Sequence, residues 1–331
     1  RCSRNEPERV NLNNRVSTDV CAAARLLTEG RLVAFPTETV YGLGADALNP
    51  IAVRRVYEAK SRPLDHPLIV HVGHKQLLDE FAVKIPDNAR ALVNHYWPGP
   101  LTLVLKASDR VPRVVTGGQD TVAIRLPAHP LTISLLKEFK GGMVGPSANK
   151  FGRLSPTNAS DVDRNFGSEV GLVLDGGAYG VGIESTIIGF DGECPVMLRP
   201  GMITKTAISE VISTDFLNVG RKSPRVSGSL PSHYAPTTKL ILLELDDIRH
   251  YLKQNTELHS AALLTFQPLL ITHPGKVILA LKDPNDYAKH LYQRLRELDE
   301  GPSKIIIVES IPLGDAWDGI RDRLVRAAGS L

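Results

Sequence analysis

The feature that most constrains this fold is a break in the pattern of the chain at residues 217–236. Strand-like and helix-like segments alternate on both sides of the break, whereas the break itself is rich in Gly, Ser, Pro and basic residues. A connection of roughly 20 residues is longer than most loops inside a compact domain, and loops of that length are usually functional or flexible. The sequence therefore predicts two domains joined by a long linker, which we assign to residues 215–237.

The part of the chain before the linker alternates short apolar strands with helices. Apolar runs that end at Gly, Pro or a charged residue predict strands at residues 31–35, 68–72, 101–106, 121–126, 171–174 and 185–190. Apolar residues at helical spacing predict helices at residues 19–30, 51–60, 89–96, 130–139 and 204–213. We therefore expect an α/β or α+β domain over residues 16–214, preceded by an N-terminal extension of residues 1–15.

The part after the linker has a simpler alternation. Its predicted strands are residues 239–244, 261–265, 276–281 and 304–308, and its predicted helices are residues 248–254, 287–298 and 317–328. Strands that alternate regularly with helices are typical of a parallel sheet. We expect a small parallel-sheet domain over residues 238–331.

Composition excludes several classes of protein. Of the 331 residues, 42% are hydrophobic and 23% are charged, which is typical of a soluble globular chain. No apolar run approaches the roughly 18 residues of a membrane helix, and residues 1–10 lack the apolar core of a secretory signal. A net charge of +3 is too small to identify a nucleic-acid-binding protein, so any anion site must be local.

The cysteine content indicates a reducing compartment. Cys2, Cys21 and Cys194 are an odd number of cysteines with no close pair, which argues against a disulfide framework and against a cysteine-based zinc site. The simplest interpretation is a cytoplasmic protein that does not associate with a membrane.

The densest group of ligand-binding residue types is the run Phe-Pro-Thr-Glu-Thr-Val-Tyr-Gly-Leu-Gly-Ala at residues 35–45. A strand that leads into Pro, hydroxyls, an aromatic ring and two glycines is typical of a close backbone approach to a ligand. The spacing Gly42-x-Gly44-x-x-Ala47 imitates a dinucleotide fingerprint, but these glycines lie about seven residues beyond the strand instead of in a tight strand-to-helix turn. A structural turn with satisfied hydroxyls is the alternative interpretation of this segment.

Two cations near the end of a predicted helix point to phosphate. Lys60 offers a compact charge and Arg62 a bidentate fork, and both suit phosphate oxygens. The alternative is that they only complement the helix dipole. His71 alternates with apolar neighbours on the next strand, a position more typical of a half-buried structural histidine than of a ligand.

Two further features suit a small polar ligand. Ser147 and Asn149 lie two residues apart, so that an extended backbone would direct both side chains to one side, although a plain turn would look similar. Arg125 lies in the middle of an apolar strand, where an arginine is rarely unpaired. Its carboxylate partner is either a protein side chain or a small substrate, and the residues leave both open.

Several well-known catalytic motifs are absent from the sequence. The chain has no Walker A motif, no His-Glu-x-x-His, no Cys-x-x-Cys pair and no nucleophile elbow. The remaining functional groups are cations, hydroxyls and amides, and no covalent nucleophile is indicated. This inventory predicts catalysis by positioning and charge stabilisation.

Taken in order, these motifs resemble those of the YrdC-like threonylcarbamoyl-adenylate synthases in their long, two-domain form. The family's Pro-Thr-Glu-Thr-Val-Tyr-Gly-Leu-Gly stretch matches residues 36–44, and its Ser-Thr-Ile and Arg-Pro-Gly pieces match residues 185–187 and 199–201. Its Lys-x-Arg and Ser-x-Asn signature matches Lys60, Arg62, Ser147 and Asn149. The long form's His-Tyr-Ala-Pro motif stands at residues 233–236, and the resemblance covers residues 16–328.

The resemblance implies a fold and a site. The fold is a twisted, mixed α/β sheet with a concave basic cleft, followed by a small Rossmann-like parallel-sheet domain. The implied catalytic residues are Lys60, Arg62, Ser147 and Asn149. The implied ATP-binding residues are Lys60, Arg62, His66, Thr121, Ser147, Asn149, Ser155, Arg199 and Tyr234. The implied threonine-binding residues are Thr39, His71, Arg125, Gly145 and Ser185, with Arg125 pairing the substrate carboxylate.

The resemblance also implies an activity. A threonylcarbamoyladenylate synthase forms threonylcarbamoyl-AMP and pyrophosphate from L-threonine, bicarbonate and ATP, with Mg²⁺, for the threonylcarbamoyladenosine modification of tRNA. A tRNA threonylcarbamoyl transferase would receive the product, and a weak RNA contact is a further expectation. No magnesium ligand is identifiable in the sequence. The linker residue Tyr234 and its neighbours are expected to fold over the ligand as a lid that excludes water.

Two rival functions are consistent with parts of the pattern. YrdC-like modules also occur in carbamoyl-phosphate-dependent maturation enzymes, but those carry upstream acylphosphatase and zinc-finger-like modules for which this chain has neither the length nor the cysteines. A non-enzymatic RNA-binding module would use the basic face and would show salt-sensitive RNA affinity without ATP turnover. The modest net charge and the few aromatic residues count against it.

Overall fold

The computed structural model describes residues 15–177, 180–220, 223–254, 261–269 and 273–329, and the strands of these ranges form two sheets. The larger sheet has ten strands, in the spatial order β1-β8-β2-β3-β7-β4-β6-β5-β9-β10. In chain order they are β1 (Val16–Ser17), β2 (Val33–Phe35), β3 (Gly42–Asp46), β4 (Ile69–His71), β5 (Leu101–Lys106), β6 (Thr121–Arg125), β7 (Met143–Val144), β8 (Leu172–Leu174), β9 (Thr186–Asp191) and β10 (Cys194–Arg199). Parallel pairs such as β4–β6 and antiparallel pairs such as β9–β10 occur together, which confirms the expected mixed sheet.

Seven helices accompany this sheet within the described residues. They are α1 (Val20–Thr28), α2 (Pro50–Lys60), α3 (Leu78–Phe81), α4 (Asp87–Tyr96), α5 (Pro130–Phe139), α6 (Ala159–Phe166) and α7 (Lys205–Ile212). Alternation along β2 sends Ala34 into the main hydrophobic core and Phe35 into a smaller core on the opposite face. Helices α1 and α5 supply most of that smaller core, so they cover one part of this second face.

The face that carries Phe35 continues beyond α1 and α5 onto the strands that hold the predicted site residues. Phe35 meets His71 of β4 edge-on, with 5.4 Å between the ring centroids. Further along, Ile69 and Ala123 form a separate apolar cluster on β4 and β6, and its cover is Val226 from the linker. This part of the sheet is therefore packed against the linker, and it is where a ligand pocket can form.

Local sequence signals fix the end of α2, where the first predicted cations lie. Asn49 caps the helix by accepting hydrogen bonds from the backbone of its first turn, and Pro50 occupies the first helical position, where a missing N–H costs nothing. Ser61 ends the helix in a left-handed conformation with φ of 52°. The chain therefore turns sharply between Lys60 and Arg62, and both side chains become buried.

The second sheet is parallel and small. Its strands are β11 (Lys239–Leu243), β12 (Ala262–Thr265), β13 (Val277–Leu279) and β14 (Ile305–Glu309), in the spatial order β11-β14-β12-β13. Its helices are α8 (Leu245–Gln254), α9 (Pro284–Asp299) and α10 (Asp318–Ala328). All of the described strand pairs in this sheet are parallel, as the alternation of strands and helices predicts.

The two sheets share a hydrophobic interface. Val40, Ile183 and Tyr234 from the N-terminal part and the linker belong to the same buried cluster as the inner faces of α9 and α10. The backbones also approach closely, because a Cβ at Gly182 would lie 2.4 Å from the carbonyl oxygen of Ala288 on α9. The C-terminal part therefore packs directly on the segment that leads into β9.

The sequence missed several elements of the larger sheet region. Strand β3 contains the glycines that imitate a dinucleotide fingerprint, and β1, β10, α3 and α6 also had no predicted counterparts. The expectation of unpaired cysteines is wrong at Cys21, which is disulfide-bonded, whereas Cys194 is free. No helix in the described ranges is both long and apolar enough to cross a membrane.

Candidate functional site

A pocket lies between the sheet and the linker. Its walls come from the segment after β2, from β4 and β6, from the loop after β7, from the residues before β9, from the end of β10 and from the linker. The residues that line it in the described part of the chain are Thr37, Thr39, Val40, Tyr41, Gly42, Ile69, His71, Arg125, Gly145, Pro146, Ser147, Glu184, Ser185, Arg199, Ser227, His233 and Tyr234.

The pleat of the sheet explains why His71 and Arg125 lie together. Side chains two residues apart on a strand point to the same face, so Ile69 with His71 and Ala123 with Arg125 share the face covered by the linker. The parallel register of β4 and β6 places His71 directly opposite Arg125. The sequence pattern of each strand, together with this register, builds one polar end of the pocket.

Arg125 is neutralised by the protein itself. Its Nη2 lies 2.6 Å from Oε1 of Glu38, and the two side chains are only 4% and 7% exposed. Its Nη1 donates to the Thr39 hydroxyl at 3.0 Å and its Nε donates to the Gly99 carbonyl at 3.2 Å. The sequence left open whether a protein carboxylate or a substrate pairs with Arg125, and the structure identifies Glu38 as a protein partner.

The same end of the pocket contains a neutral histidine. Burial and the nearby charge of Arg125 lower the pKa of His71 to about 3. Gly145 lies against its ring, because a Cβ there would be 2.7 Å from Nδ1 of His71. This Nδ1 is buried and has no hydrogen-bond partner among the described residues. A polar atom in that state is unusual unless a ligand or water completes it.

Two pairs of hydroxyl groups are held in fixed positions beside Arg125 and Arg199. The hydroxyls of Thr37 and Thr39 are 2.7 Å apart, and the hydroxyl of Ser185 lies 2.7 Å from that of Thr102. Both sets are buried. Their orientation is therefore set by the protein before any ligand arrives.

Lys60 and Arg62 are buried cations whose hydrogen bonds go to neutral oxygens. The Lys60 ammonium donates to the carbonyls of Ser147, at 2.6 Å, and Asn149. Arg62 donates to the carbonyls of His66, at 3.3 Å, and Pro67, at 2.9 Å. Burial lowers the pKa of Lys60 well below its ordinary value, and burial lowers the pKa of Arg62 to about 10.

Arg199 has the same character. It donates from Nη2 to the Ser185 carbonyl at 2.9 Å and from Nη1 to the Ser227 carbonyl of the linker at 2.9 Å. Arg62 also reaches the linker, with 3.5 Å between its Nη2 and the Ser227 hydroxyl. Burial lowers the pKa of Arg199. In this structure the linker residue Ser227 therefore bridges two of the predicted phosphate-binding cations.

The loop after β7 connects the two ends of the pocket. Ser147 pairs with Gly42 as an isolated antiparallel bridge, which extends the contact between this loop and the segment after β2. The Asn149 amide donates to the carbonyls of Lys150 and Arg153, both at 2.8 Å, so it shapes the turn that follows. Its Oδ1 is buried and has no partner among the described residues.

The linker closes the pocket with an aromatic pair. We call residues 226–234 the lid. His233 and Tyr234 are buried, and the Tyr234 hydroxyl and His233 Nδ1 have no hydrogen-bond partners among the described residues. Burial lowers the pKa of His233 to about 3. Tyr234 has a φ of 60°, and its hydroxyl occupies the space that a side chain at Gly228 would fill.

Glu184 is the carboxylate among the described lining residues, and both of its oxygens already accept hydrogen bonds from the protein. Oε1 accepts from the Ser155 hydroxyl at 2.5 Å, and Oε2 accepts from Tyr292 and from Arg323 at 2.8 Å each. Burial opposes its charge, but the guanidinium groups of Arg323 and Arg199 and these hydrogen bonds lower the pKa of Glu184 to about 2. It stays ionised at neutral pH.

The structure brings most of the predicted site residues together. Those that line the pocket are Thr39, His71, Arg125, Gly145, Ser147, Ser185, Arg199 and Tyr234. Lys60, Arg62 and Asn149 lie directly behind this lining through their bonds to Ser147, Ser227 and the loop. His66, Thr121 and Ser155 do not line the pocket, and the Ser155 hydroxyl points to Glu184.

Sequence reasoning missed several residues of the site. Glu38 lies inside the motif at residues 35–45 and could have been suggested by the unpaired Arg125, but nothing in the sequence indicated this partner over others. Glu184, Ser227 and Arg323 gave no local signal. The described residues contain no group of three or more His, Cys, Asp or Glu side chains that could hold a metal ion.

The chain is similar to known proteins over nearly its whole length. The Sua5/YciO/YrdC family, described as "Telomere recombination", matches residues 25–201, and "Threonylcarbamoyl-AMP synthase, C-terminal domain" matches residues 203–329. A threonylcarbamoyl-AMP synthase of Bacillus subtilis is 37% identical, with 97% of this chain and 96% of that protein covered. The one from Pyrococcus abyssi is also 37% identical, over 97% of each chain.

A solved structure agrees with these sequence relatives. The crystal structure of Pyrococcus abyssi Sua5 complexed with L-threonine is 36% identical to this chain, with a TM-score of 0.86 over 93% of this chain and 94% of the other. Both sheets described above are therefore included in the structural match.

Proposed function

This chain belongs to the Sua5/YrdC family of threonylcarbamoyl-AMP synthases, and from that premise we propose how its pocket uses L-threonine, bicarbonate and ATP. The observation that carries the proposal is a surplus of buried positive charge. The hydrogen bonds of Lys60, Arg62 and Arg199 go to carbonyl and hydroxyl oxygens of the described residues. Buried cations without a carboxylate are costly, and a polyphosphate is the ligand that would compensate them.

We assign L-threonine to the end of the pocket around Arg125. A guanidinium has five N–H donors, and the contacts with Glu38, Thr39 and Gly99 leave donors for the substrate carboxylate. His71 is neutral and can hydrogen-bond without adding charge. Gly145 leaves room beside it for the amino acid, and the Ser185 hydroxyl completes this end.

We assign ATP to the end around Lys60, Arg62 and Arg199. Ser147 and Asn149 would contact the nucleotide along the same wall, and we retain His66, Thr121, Ser155 and Tyr234 as proposed ATP contacts at its margins. The described pocket offers no free carboxylate for a metal, so Mg²⁺ is proposed to enter as the counter-ion of ATP, held by phosphate oxygens and water.

The proposed chemistry follows from these two ends. The threonine amine attacks carbon dioxide derived from bicarbonate, a C–N bond forms, and the nitrogen loses a proton to give a carbamate. A carbamate oxygen then attacks the α-phosphorus, and the bond from that phosphorus to the oxygen bridging the α- and β-phosphates breaks. Pyrophosphate leaves with the electron pair. Negative charge accumulates on phosphate oxygens, where Lys60, Arg62 and Arg199 can stabilise it.

The lid is proposed to protect the intermediates. Both the carbamate and the mixed anhydride decompose in water, so that closure by His233 and Tyr234 over the pocket would favour product over hydrolysis. Their unpartnered Nδ1 and hydroxyl are available to meet a ligand.

The wider assignments are part of the same proposal. We propose residues 16–214 as the catalytic domain, 215–237 as the linker and 238–331 as the C-terminal domain, after an extension of residues 1–15. The product would pass to a tRNA threonylcarbamoyl transferase in the cytoplasm, with at most a weak RNA contact by this chain.

Reconstitution tests the proposal. The full chain is incubated with ATP, Mg²⁺, bicarbonate and L-threonine, and pyrophosphate and threonylcarbamoyl-AMP are measured. We expect both products in equal amounts and only when threonine is present. Serine in place of threonine is the control for side-chain selectivity. Pyrophosphate release that does not depend on an amino acid would contradict the assignment.

A further inference from the structure

Arg323 on α10 joins three parts of the pocket through one guanidinium group. We propose that Arg323 is a positioning residue that ties the strand ends carrying Ser185 and Arg199 to each other and to Tyr234 of the lid. The inference rests on the proposed function, because it assigns to the C-terminal sheet region a role in holding that same pocket in its working shape.

The first contacts are with the backbone on both sides of the site. Nη2 of Arg323 donates to the Glu184 carbonyl at 3.1 Å, and Nη1 donates to the Pro200 carbonyl at 2.9 Å. Glu184 directly precedes Ser185, and Pro200 directly follows Arg199. Because β9 and β10 are antiparallel, these two positions lie at the same end of the strand pair. One side chain therefore fixes both ends in register.

The second contact is a buried ion pair. Nε of Arg323 donates to Oε2 of Glu184 at 2.8 Å, and the Arg323 side chain is fully buried. Tyr292 of α9 donates to the same oxygen at 2.8 Å. The carboxylate of Glu184 is thus held by groups from two C-terminal helices, while its backbone carries the next residue into the pocket.

The third contact is with the lid. The Arg323 guanidinium carbon lies 5.2 Å from the centroid of the Tyr234 ring, within the range of a cation–π interaction. The Tyr292 ring lies 6.1 Å from that of Tyr234, and the backbone N–H of His233 donates to the Arg326 carbonyl at 3.2 Å. The closed position of the lid is therefore defined by residues of α9 and α10.

Close backbone packing keeps Arg323 in place. A Cβ at Gly182 would lie 2.4 Å from the Ala288 carbonyl oxygen, and a Cβ at Gly319 would lie 2.9 Å from the backbone of Gly201. Both approaches flank the Glu184–Arg323 contact. These close approaches hold α9 and α10 against the backbone on both sides of the site, so that α10 presents the guanidinium next to the pocket.

The experiment compares substitutions at Arg323 with a matched control on the same helix. The variants are Arg323→Gln, Arg323→Lys and the control Arg321→Gln, whose arginine contacts Asp318 and Pro312 outside the pocket. We expect Arg323→Gln to lower kcat for threonine-dependent pyrophosphate release by about tenfold or more. The share of product lost as free AMP should rise, because the lid closes less firmly. Arg323→Lys restores the charge but not the fork and should recover part of kcat.

A second variant covers the case in which Arg323→Gln does not fold, since it leaves a buried carboxylate uncompensated. Tyr292→Phe keeps the ring and removes one hydrogen bond to Glu184, and we expect about a fivefold fall in kcat with an unchanged fold. Wild-type kcat and KM in the folded Arg323 variants, or in Tyr292→Phe if the former do not fold, would overturn the inference while wild-type synthesis stands. A wild-type chain without threonine-dependent synthesis would instead overturn the proposed function.

Discussion

The two ends of the pocket differ in how their positive charge is balanced. At one end, Arg125 contacts the buried carboxylate of Glu38 at 2.6 Å. At the other end, Lys60, Arg62 and Arg199 have hydrogen bonds only to carbonyl and hydroxyl oxygens within the described ranges, and two of them share Ser227 of the linker.

The two ends of the pocket therefore differ in how far the protein itself balances their buried charge. At the Arg125 end the guanidinium is paired with Glu38 and its geometry is preorganised, whereas Nδ1 of the neighbouring His71 has no hydrogen-bond partner among the described residues.

At the other end, Lys60, Arg62 and Arg199 have no hydrogen bond to a carboxylate within the described ranges, and on the proposed function a polyanion adds the missing negative charge. In this structure, Ser227 of the linker accepts hydrogen bonds from Arg62 and Arg199. We call the end around Arg125 the rigid end and the end around Lys60, Arg62 and Arg199 the adaptable end. On the proposed function, the rigid end receives L-threonine and the adaptable end receives the phosphates.

The largest expected effect is a loss of stability when the charge of Arg125 is removed from the rigid end. Arg125→Met leaves Glu38 buried without its partner, and we expect the free energy of unfolding to fall by about 3–5 kcal/mol. The double variant Arg125→Met with Glu38→Gln should regain most of that stability, because no charge is then left unpaired. Urea unfolding of the wild type, both single variants and the double variant measures the coupling.

Substrate binding by the same variants tests the assignment of the two ends. In the stable double variant, KM for threonine should rise strongly while the affinity for ATP stays near that of the wild type. An equal loss of threonine and ATP binding would mean that Arg125 does not belong to a separate amino-acid end.

A smaller effect concerns the pH dependence of stability at the rigid end. The pKa of His71 is about 3 in the folded chain, against 6.5 when it is unperturbed. Between these values the unfolded chain binds the extra proton, so stability is fully present above pH 6.5 and is lost as pH falls towards 3, by up to about 1.4 kcal/mol per pH unit. His71→Gln should remove this contribution and leave that of His233, whose pKa is also about 3, as measured by urea unfolding from pH 7 to 4.5.

The exposed His74, three residues further along the chain, provides the control. His74→Gln should leave the slope of stability against pH unchanged. If His71→Gln and wild type had the same slope, the histidine would not be kept neutral by the fold, and the rigid end would be more open to water than its burial indicates.

The smallest expected effect concerns the adaptable end. Gly228→Ala should displace the Tyr234 hydroxyl, which lies 1.9 Å from the position of the new Cβ, and the fraction of product lost as free AMP should rise about fivefold, the equivalent of roughly 1 kcal/mol. The measurement is the ratio of free AMP to threonylcarbamoyl-AMP.

Gly118→Ala is the matched control, because Gly118 has nearly the same φ, 81° against 78°, and open space around it. Gly118→Ala introduces the same backbone strain of an alanine at positive φ, but its new Cβ contacts no other residue. Equal product ratios in the two variants would show that the lid does not depend on the position of Tyr234.

Most of the fold could be predicted from the sequence because apolar residues recur in each strand and helix with the spacing of its buried face. The predicted helix at residues 130–139 and strand at residues 101–106 have the observed bounds. Strand β3 was missed because its two glycines have low strand propensity and are retained by close contacts with Phe35 and Met143.

The site was predictable only where residues cluster in the chain. The need of Arg125 for a carboxylate followed from its apolar surroundings, but the identity of that carboxylate depends on how the segment after β2 folds back over β6. Arg323 and Glu184 lie 139 residues apart. An arginine on an amphipathic helix has the same local sequence signature whether it faces water or a buried partner, so only the packing of α10 on the larger sheet reveals its role.

The surplus of buried cations at Lys60, Arg62 and Arg199 has a consequence for the lifetime of the protein. A ligand that binds only the native chain adds stability by mass action, about 2.7 kcal/mol when its concentration is a hundred times its Kd. If Lys60, Arg62 and Arg199 hold ATP as proposed, the resistance of the chain to heat and to proteases rises with the ATP concentration. On that proposal, the chain without nucleotide populates its unfolded state more often and is cut sooner by proteases.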